Sequence, residues 1–338
     1  MEKINYIPDV EEKIKKIFFE FSLKPKTPPS KVIIQKEKSY RTICRDKKDN
    51  KFFFKSTFYD DPNKIIDIKK EIFFFKSLKE NNFYSKKNPY SRWGFRVQSF
   101  VSCGKQKNFY WFLIELAKGE TMGNWFAFKP RILVPYMIPV FARYSLFIQS
   151  LALYLKLTKN KARRLKLRVK DYNNFFSQIF DFSSILKKAL TEKQIKDLFK
   201  EIRKNKSFLN KNCNSILHRD NHPQNILLDK KTKEFTIIDW SDLSYGSKIY
   251  DFTDIWVHAW INPLWREKLL RYFWKKMSKK PWMLLFKLTA ICLTVLEMRN
   301  LSNRKMVACV IPSKQVDSFR KKALSVHKET LKYLYKLK

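Results

Sequence analysis

Residues 216–240 constrain the chain more than any other stretch. They read Ile216-Leu217-His218-Arg219-Asp220-Asn221-His222-Pro223-Gln224-Asn225-Ile226-Leu227-Leu228, then a polar turn at 229–233, then an apolar run ending in Ile237-Ile238-Asp239-Trp240. Two apolar runs of strand length enclose a polar loop, and a third follows the turn, which predicts strand–loop–strand–turn–strand. The loop holds an aspartate with an asparagine five residues on, and a second aspartate closes the last strand. A phosphoryl-transfer site is laid out this way. One carboxylate orients a hydroxyl nucleophile and accepts its proton, while an amide oxygen and a second carboxylate offer hard oxygen donors to Mg²⁺ against ATP phosphates.

The motif His218-Arg219-Asp220-x-x-x-x-Asn225 with Asp239 downstream resembles the catalytic and metal-binding loops of the protein-kinase-like superfamily. His222-Pro223 and Asp239-Trp240 are similar to the aminoglycoside phosphotransferase and choline kinase group rather than to protein kinases. Arg219 departs from that group's usual glycine and is closer to protein kinases or the lipopolysaccharide-core sugar kinases. No glycine occurs before Gly94, so the Gly-rich phosphate loop of protein kinases is absent. The fold this resemblance implies is α+β and two-lobed: a small antiparallel-sheet lobe with one helix, and a larger, mainly helical C-terminal lobe.

That expectation orders the rest of the chain. Residues 1–30 read as an N-terminal helix, with apolar positions at helical spacing (Ile14, Ile17, Phe18, Phe21), and a Pro-rich linker. Residues 31–116 read as the ATP-binding lobe, with strands at 31–34, 41–44 and 51–56, a helix at 63–80, a strand at 95–103, a turn at 104–108 and a strand at 109–116. Residues 117–338 read as the helical lobe, carrying the catalytic loop 216–228 and the metal strand 235–240. By resemblance, Lys55 touches the nucleotide phosphates and pairs with Glu71, with Asp67 as the competitor. Ser39 in the first turn contacts phosphate, and adenine lies against Glu115–Ala117. Asp220 is the catalytic residue, and Asn225 and Asp239 hold Mg²⁺. His218 supports the loop, His222 lies near the site with an open role, and Asp251 braces the loop or caps a helix.

Composition sets the outer bounds. At 338 residues, with 44% hydrophobic content, the chain can bury a large core. The net charge of +40 is extreme. Lysine is spread along the whole chain, which favours compositional drift over selection for an anionic partner. The densest run is 156–170, with eight Lys or Arg and no acid. It reads either as a patch for anionic lipid or a phosphorylated substrate, or as a solvated helix face. The five cysteines are scattered without a Cys-x-x-Cys pair, which predicts neither a disulfide framework nor a zinc site. The N-terminus has no signal-peptide core, and no run of about 18 uncharged apolar residues occurs. The nearest, 281–298, is interrupted by Lys287 and Glu297. A cytoplasmic protein is expected, with peripheral contact at the inner membrane face as an option.

The expected activity is ATP- and Mg²⁺-dependent phosphoryl transfer to a hydroxyl of a small molecule of aminoglycoside, choline or sugar type. Asp242, Asp254, Glu267 and Glu297 are candidates for an acidic wall that holds a cationic acceptor. A chain of +40 repels cations at long range, although screening over about 8–10 Å weakens that objection. The alternatives are a kinase of a membrane-linked glycan or lipopolysaccharide-core sugar, and a basic nucleic-acid-binding protein on a kinase scaffold. Nucleic acid is the less favoured partner, because every catalytic position is filled.

Overall fold

The computed structural model describes residues 7, 9–29, 39–57, 61–84, 94–123, 135–277, 280–308 and 311–337. They form two compact units. The first comprises 1–120, 154–156 and 226–243; the second comprises 121–153, 157–225 and 244–338. The hairpin after the catalytic loop therefore belongs with the N-terminal unit, whereas the sequence division put it in the C-terminal part.

In the first unit, five strands form an antiparallel sheet in the order β1 (Lys24–Pro25), β2 (Ser39–Arg45), β3 (Lys51–Thr57), β6 (Phe109–Glu115), β5 (Phe100–Gln106). Helix α1 (Val10–Glu20) packs Val10, Ile14, Ile17 and Phe18 against Tyr40, Phe54, Phe109 and Leu113 of this sheet. The Phe18 and Phe54 rings meet edge to face at 4.9 Å. Burying such side chains stabilises by roughly 1.5–3 kcal/mol each. Helix α2 (Pro62–Glu80) starts where the Asp61 carboxylate accepts the Asn63 N–H and Pro62 pre-sets the first-turn backbone. Its buried side carries Ile65, Ile68, Phe74, Phe75 and Leu78, with Glu71 among them.

The run 95–103 is not one strand. Strand β4 (Phe95–Val97) pairs parallel with β10 (Glu234–Ile237), which pairs antiparallel with β9 (Ile226–Asp229). Strand β5 begins only at Phe100. The break is polar: the Gln98 side chain donates to the Glu115 carbonyl, and the Ser99 carbonyl accepts the Glu115 N–H. Strand β5 then runs through Gln106, so the turn is confined to Lys107–Asn108, with Lys107 at φ 51°. The expected strand at 31–34 lies outside the described residues.

The second unit is mainly helical. Its helices include α3 (Ile138–Leu155), α4 (Glu192–Lys204), α5 (Tyr250–His258), α6 (Pro263–Met277), α7 (Lys280–Ser302) and α8 (Val316–Lys336). Helix α7 packs against α5 and α8. Its apolar side meets an aromatic cluster, in which Phe286 lies edge-on to Trp256 at 5.1 Å and Phe252 stacks on Phe273 at 4.0 Å. The segment Pro281–Ser302 is long and apolar enough to cross a membrane, and 61% of its most apolar stretch is buried inside the protein.

A three-stranded sheet in the order β7 (Arg168–Lys170), β11 (Ser244–Ser247), β8 (Cys213–Leu217) carries the catalytic loop on its exit. The basic run 156–170 is not a single helix. Thr158 caps a short helix, Lys159–Arg164, and the chain then extends into β7. Buried Asp171 accepts from Lys159 at 2.6 Å. The segment 183–204 is likewise divided, into Ser183–Leu186 and α4, because a Thr191–Gln194 capping box starts a new helix.

Candidate functional site

The Asp220 loop is held by one buried carboxylate. Asp251 accepts the His218 N–H at 2.9 Å on one oxygen. Its other oxygen accepts the Arg219 N–H at 3.0 Å and the Asn221 side-chain amide at 2.9 Å. Arg219 sits at φ 68°, a left-handed conformation that costs a non-glycine residue energy, and the Asp251 contacts retain it. The cap of α5 is Ile249, so Asp251, in the first turn, braces the loop rather than capping the helix. His218 is fully buried, which suits a supporting place in the loop.

Asn221 ties this brace to two further elements. Its amide oxygen accepts the Tyr144 hydroxyl of α3 at 2.6 Å, and its amide nitrogen donates to Asp254 of α5 at 3.2 Å. Burial raises the Tyr144 hydroxyl well above its ordinary range, helped by Asp251, Asp254 and Asp220, so it stays a neutral donor. Asp220 accepts from the Asn225 side-chain amide, at 2.7 Å on a carboxylate oxygen and 3.0 Å on its carbonyl. Both bonds use the Asn225 side-chain nitrogen.

Asp220 opens onto a cavity of about 240 Å³ whose lining includes Lys170, Arg219, Asp254, His258 and Glu297. His258 Nδ1 lies 3.0 Å from the Asp254 carbonyl and 3.5 Å from its carboxylate, and Nε2 lies 3.8 Å from Glu297. Burial pulls the His258 pKa down, but Asp254 and Glu297 outweigh it, and the net direction is upward. Burial pushes Asp254 up to about 6, against His258 and Asn221. His222, its ring 6.5 Å from that of His258, is shifted the other way, first by burial and then by His258. Of the four acids considered for a substrate wall, Asp254 and Glu297 line this cavity. Glu267 pairs with Arg271 on the exposed side of α6 at 2.6 Å, and Asp242 belongs to the first unit.

In the first unit, β3 and α2 bring Lys55 and Glu71 together at 2.5 Å with both side chains buried. Burial raises the Glu71 carboxyl to about 7, opposed chiefly by Lys55, while the nearby Asp239 adds to the rise. The competitor Asp67 instead pairs with Lys64 and Lys70. Asp239 follows β10 in a left-handed conformation, φ 57°, and accepts the Ser241 hydroxyl at 2.7 Å. Next to it, buried Trp240 stacks on Phe74 of α2 at 3.9 Å, which fixes the end of β10 against the helix that carries Glu71. Ser39 opens β2, is buried, and accepts from Arg41.

The hinge stretch is partly committed. The Glu115 N–H goes to Ser99, its carbonyl accepts from Gln98, and the Leu116 N–H goes to Lys51. Ala117 makes no backbone hydrogen bond among the described residues. A polar cavity of about 150 Å³ also touches this stretch, but its lining includes Arg96, Lys118, Asp229 and Glu234. Val97, Leu116 and Ala117 supply its apolar part.

Sequence reasoning missed Tyr144 and Asn221. Asn221 stood beside Asp220 and could have been noticed, since a buried amide next to a loop carboxylate needs partners. Nothing local marked Tyr144, which reaches the loop region only through folding.

Residues 182–277, which include the whole Asp220–Asp239 stretch, match the profile of the phosphotransferase enzyme family. A comparison of the sequence with curated proteins finds no match. Among solved structures, the chain is similar to the amicoumacin kinase hAmiN, crystallised with AMP-PNP, Ca²⁺ and Ami, at 12% identity and TM-score 0.51, covering 95% of this chain and 94% of that one. It is also similar to an aminoglycoside phosphotransferase from Alicyclobacillus acidocaldarius, at 9% identity and TM-score 0.50, covering 87% and 90%. At such identities the likeness establishes the fold, which is protein-kinase-like. Within that fold, residues 182–277 match a phosphotransferase family, and the chain is a phosphotransferase of kinase type.

Proposed function

We propose that this kinase transfers the γ-phosphoryl group of ATP to a hydroxyl of a small molecule bound beside Asp220. The observation that carries this reading is the Asp220 carboxylate, fixed by Asn225 and opening onto a cavity with polar walls. The acceptor hydroxyl gives its proton to Asp220 as its oxygen bonds to the γ-phosphorus. The bond from that phosphorus to the β,γ-bridging oxygen breaks, and ADP leaves with the electron pair. A carboxylate of ordinary basicity suffices, because a loose transition state asks for positioning more than for a strong base.

Lys55 would meet the α- and β-phosphates, restrained by Glu71. The Ala117 N–H would read the adenine edge, with Glu115 fixing the backbone beside it, and Ser39 would contact phosphate from β2. Asn225 and Asp239 supply hard oxygen donors, the type that suits Mg²⁺. When bound, the metal would neutralise charge building on the phosphates. His218 and Asp251 would hold the loop, and His222 would shape the acceptor side. The similar solved amicoumacin kinase, in complex with AMP-PNP, Ca²⁺ and Ami, supports the same reading.

The test is transfer of labelled phosphate from ATP with Mg²⁺ to a panel of aminoglycosides, choline, sugars and hydroxy-amino acids. Asp220→Asn should lower the transfer rate by about 10²–10⁴-fold with little change in ATP affinity. Asp239→Ala should lower both. Full transfer by Asp220→Asn would sink the assignment.

A further inference from the structure

The first unit holds one more cation beside Lys55 than the kinase reading above uses, and this step rests on that reading. Strands β2 and β3 pair Arg41 directly with Lys55. Residues opposite each other in an antiparallel pair share one face of the sheet, with Cβ atoms about 4.5–5.5 Å apart. Tyr40 and Cys44 of β2 and Phe54 of β3 face the core that α1 covers. Arg41 therefore stands on the other face, next to Lys55 where it meets Glu71. Arg41 is exposed, and its one partner among the described residues is Ser39, whose buried hydroxyl accepts from the Arg41 Nε at 3.3 Å. Both terminal nitrogens of the guanidinium are left open, and no carboxylate among the described residues pairs with it. Its charge still reaches the buried pair. Burial raises the Glu71 carboxyl, Lys55 opposes that rise most, and Arg41 opposes it further.

Two arguments set Arg41 apart from an ordinary solvated arginine. Like charges placed directly opposite across two strands destabilise the pairing. Lys55 has Glu71 to offset that cost, and Arg41 has no such group. At the other end of the same ladder the matching cations Arg45 and Lys51 are relieved, because Asp49 meets Arg45 at 2.8 Å. The second argument comes from the sequence. No glycine precedes Gly94, so no glycine-rich turn can bring backbone N–H groups close over the phosphates. A guanidinium offers instead a planar fork of donors that matches phosphate geometry.

We propose that Arg41 is a nucleotide-binding residue of this kinase, its guanidinium gripping the β,γ-phosphate end of ATP beside Lys55 in place of a glycine-rich loop. Ser39 aims the arginine through Nε and so acts as a positioning residue. Bound phosphate supplies the counter-charge that β2 lacks at this point.

The test uses the full chain and reads two quantities that move in opposite directions. Calorimetry gives the affinity for ATP with Mg²⁺, for adenosine and for tripolyphosphate, and thermal unfolding gives the Tm of the ligand-free protein. Arg41→Met should lower the affinity for ATP and for tripolyphosphate by about ten- to a hundredfold and leave adenosine unchanged. It should also raise the ligand-free Tm, because the cross-strand repulsion is gone. An arginine with a merely structural role would lower that Tm and leave the ATP affinity intact. Arg41→Lys keeps the charge without the fork and should restore part of the lost affinity. Arg45→Met removes an equal charge from the far end of β2 and should leave ATP affinity unchanged. Unchanged ATP affinity in Arg41→Met overturns the proposal. So does an equal loss in Arg45→Met, or an equal loss for adenosine. Arg41-dependent binding of tripolyphosphate by a chain that binds neither ATP nor adenosine would instead overturn the kinase reading and leave the phosphate site standing. Binding of neither ATP nor tripolyphosphate by the unaltered chain overturns both.

Discussion

At the residue scale, Asp251 does the most to define the site without lining the acceptor cavity. It receives three donors from His218, Arg219 and Asn221. Each loses its partner in Asp251→Ala, and a buried donor left unmade costs about 1–3 kcal/mol. The variant should therefore lose more than about 3 kcal/mol of stability by urea unfolding, and Asp251→Asn should lose less. A loss under 1 kcal/mol would show that the loop backbone holds itself. The family resemblance of Tyr250-Asp251-Phe252, after the strand that ends in Asp239, offered Asp251 as a brace or a helix cap. It could not show which donors the carboxylate meets, since these lie 30–33 residues away in the chain.

At the element scale, two packings set the geometry. The first is Phe74 on Trp240, which ties α2 to the strand end that bears Asp239. Trp240→Ala leaves a large void against a buried helix and should cost about 3–5 kcal/mol, while Trp240→Phe keeps the stack and should cost much less. Equal denaturant midpoints for the two variants would refute that account. The second packing is α5 on α7, which brings His258 between Asp254 and Glu297. Because its folded pKa is raised above the usual 6.5, the charged pair contributes stability that is fully present below that value and is lost as pH rises through the folded pKa. Glu297→Gln removes one of the two carboxylates responsible. The His258 titration followed by NMR should then move downward, and an unmoved midpoint would refute the role of Glu297.

Elements also show where sequence periodicity loses its force. The run at 95–103 is apolar enough to be one strand, but Gln98 and Ser99 satisfy Glu115 and divide it between two sheets. The basic run at 156–170 looks like one charged helix. The Thr158 cap and the pairing of β7 with β11 instead end the helix at Arg164. Pairing partners distant in sequence made both decisions.

At the scale of the whole molecule, the net charge of +40 acts as self-repulsion, which opposes compaction. Raising ionic strength from about 0.01 M to 0.15 M shortens the screening length from about 30 Å to about 8 Å. The Tm should rise over that range. A flat or falling Tm would mean that local ion pairs, not net repulsion, govern the response to salt.

The sequence by itself determined the motif: the order and spacing of Asp220, Asn225 and Asp239, the Lys55–Glu71 pair, and a two-part fold of sheet and helices. These follow from local pattern, because strand and helix periodicity and a short motif are readable within windows of a few to a few tens of residues. Only the tertiary structure decided what surrounds that chemistry. Tyr144, Asn221 and Asp251 meet across more than a hundred residues of chain, and β7, the Asp220 loop, α5 and α7 converge to line one cavity. A cavity is a product of several distant segments packing at once. Its charge pattern is therefore decided by packing, and no single stretch of sequence carries it.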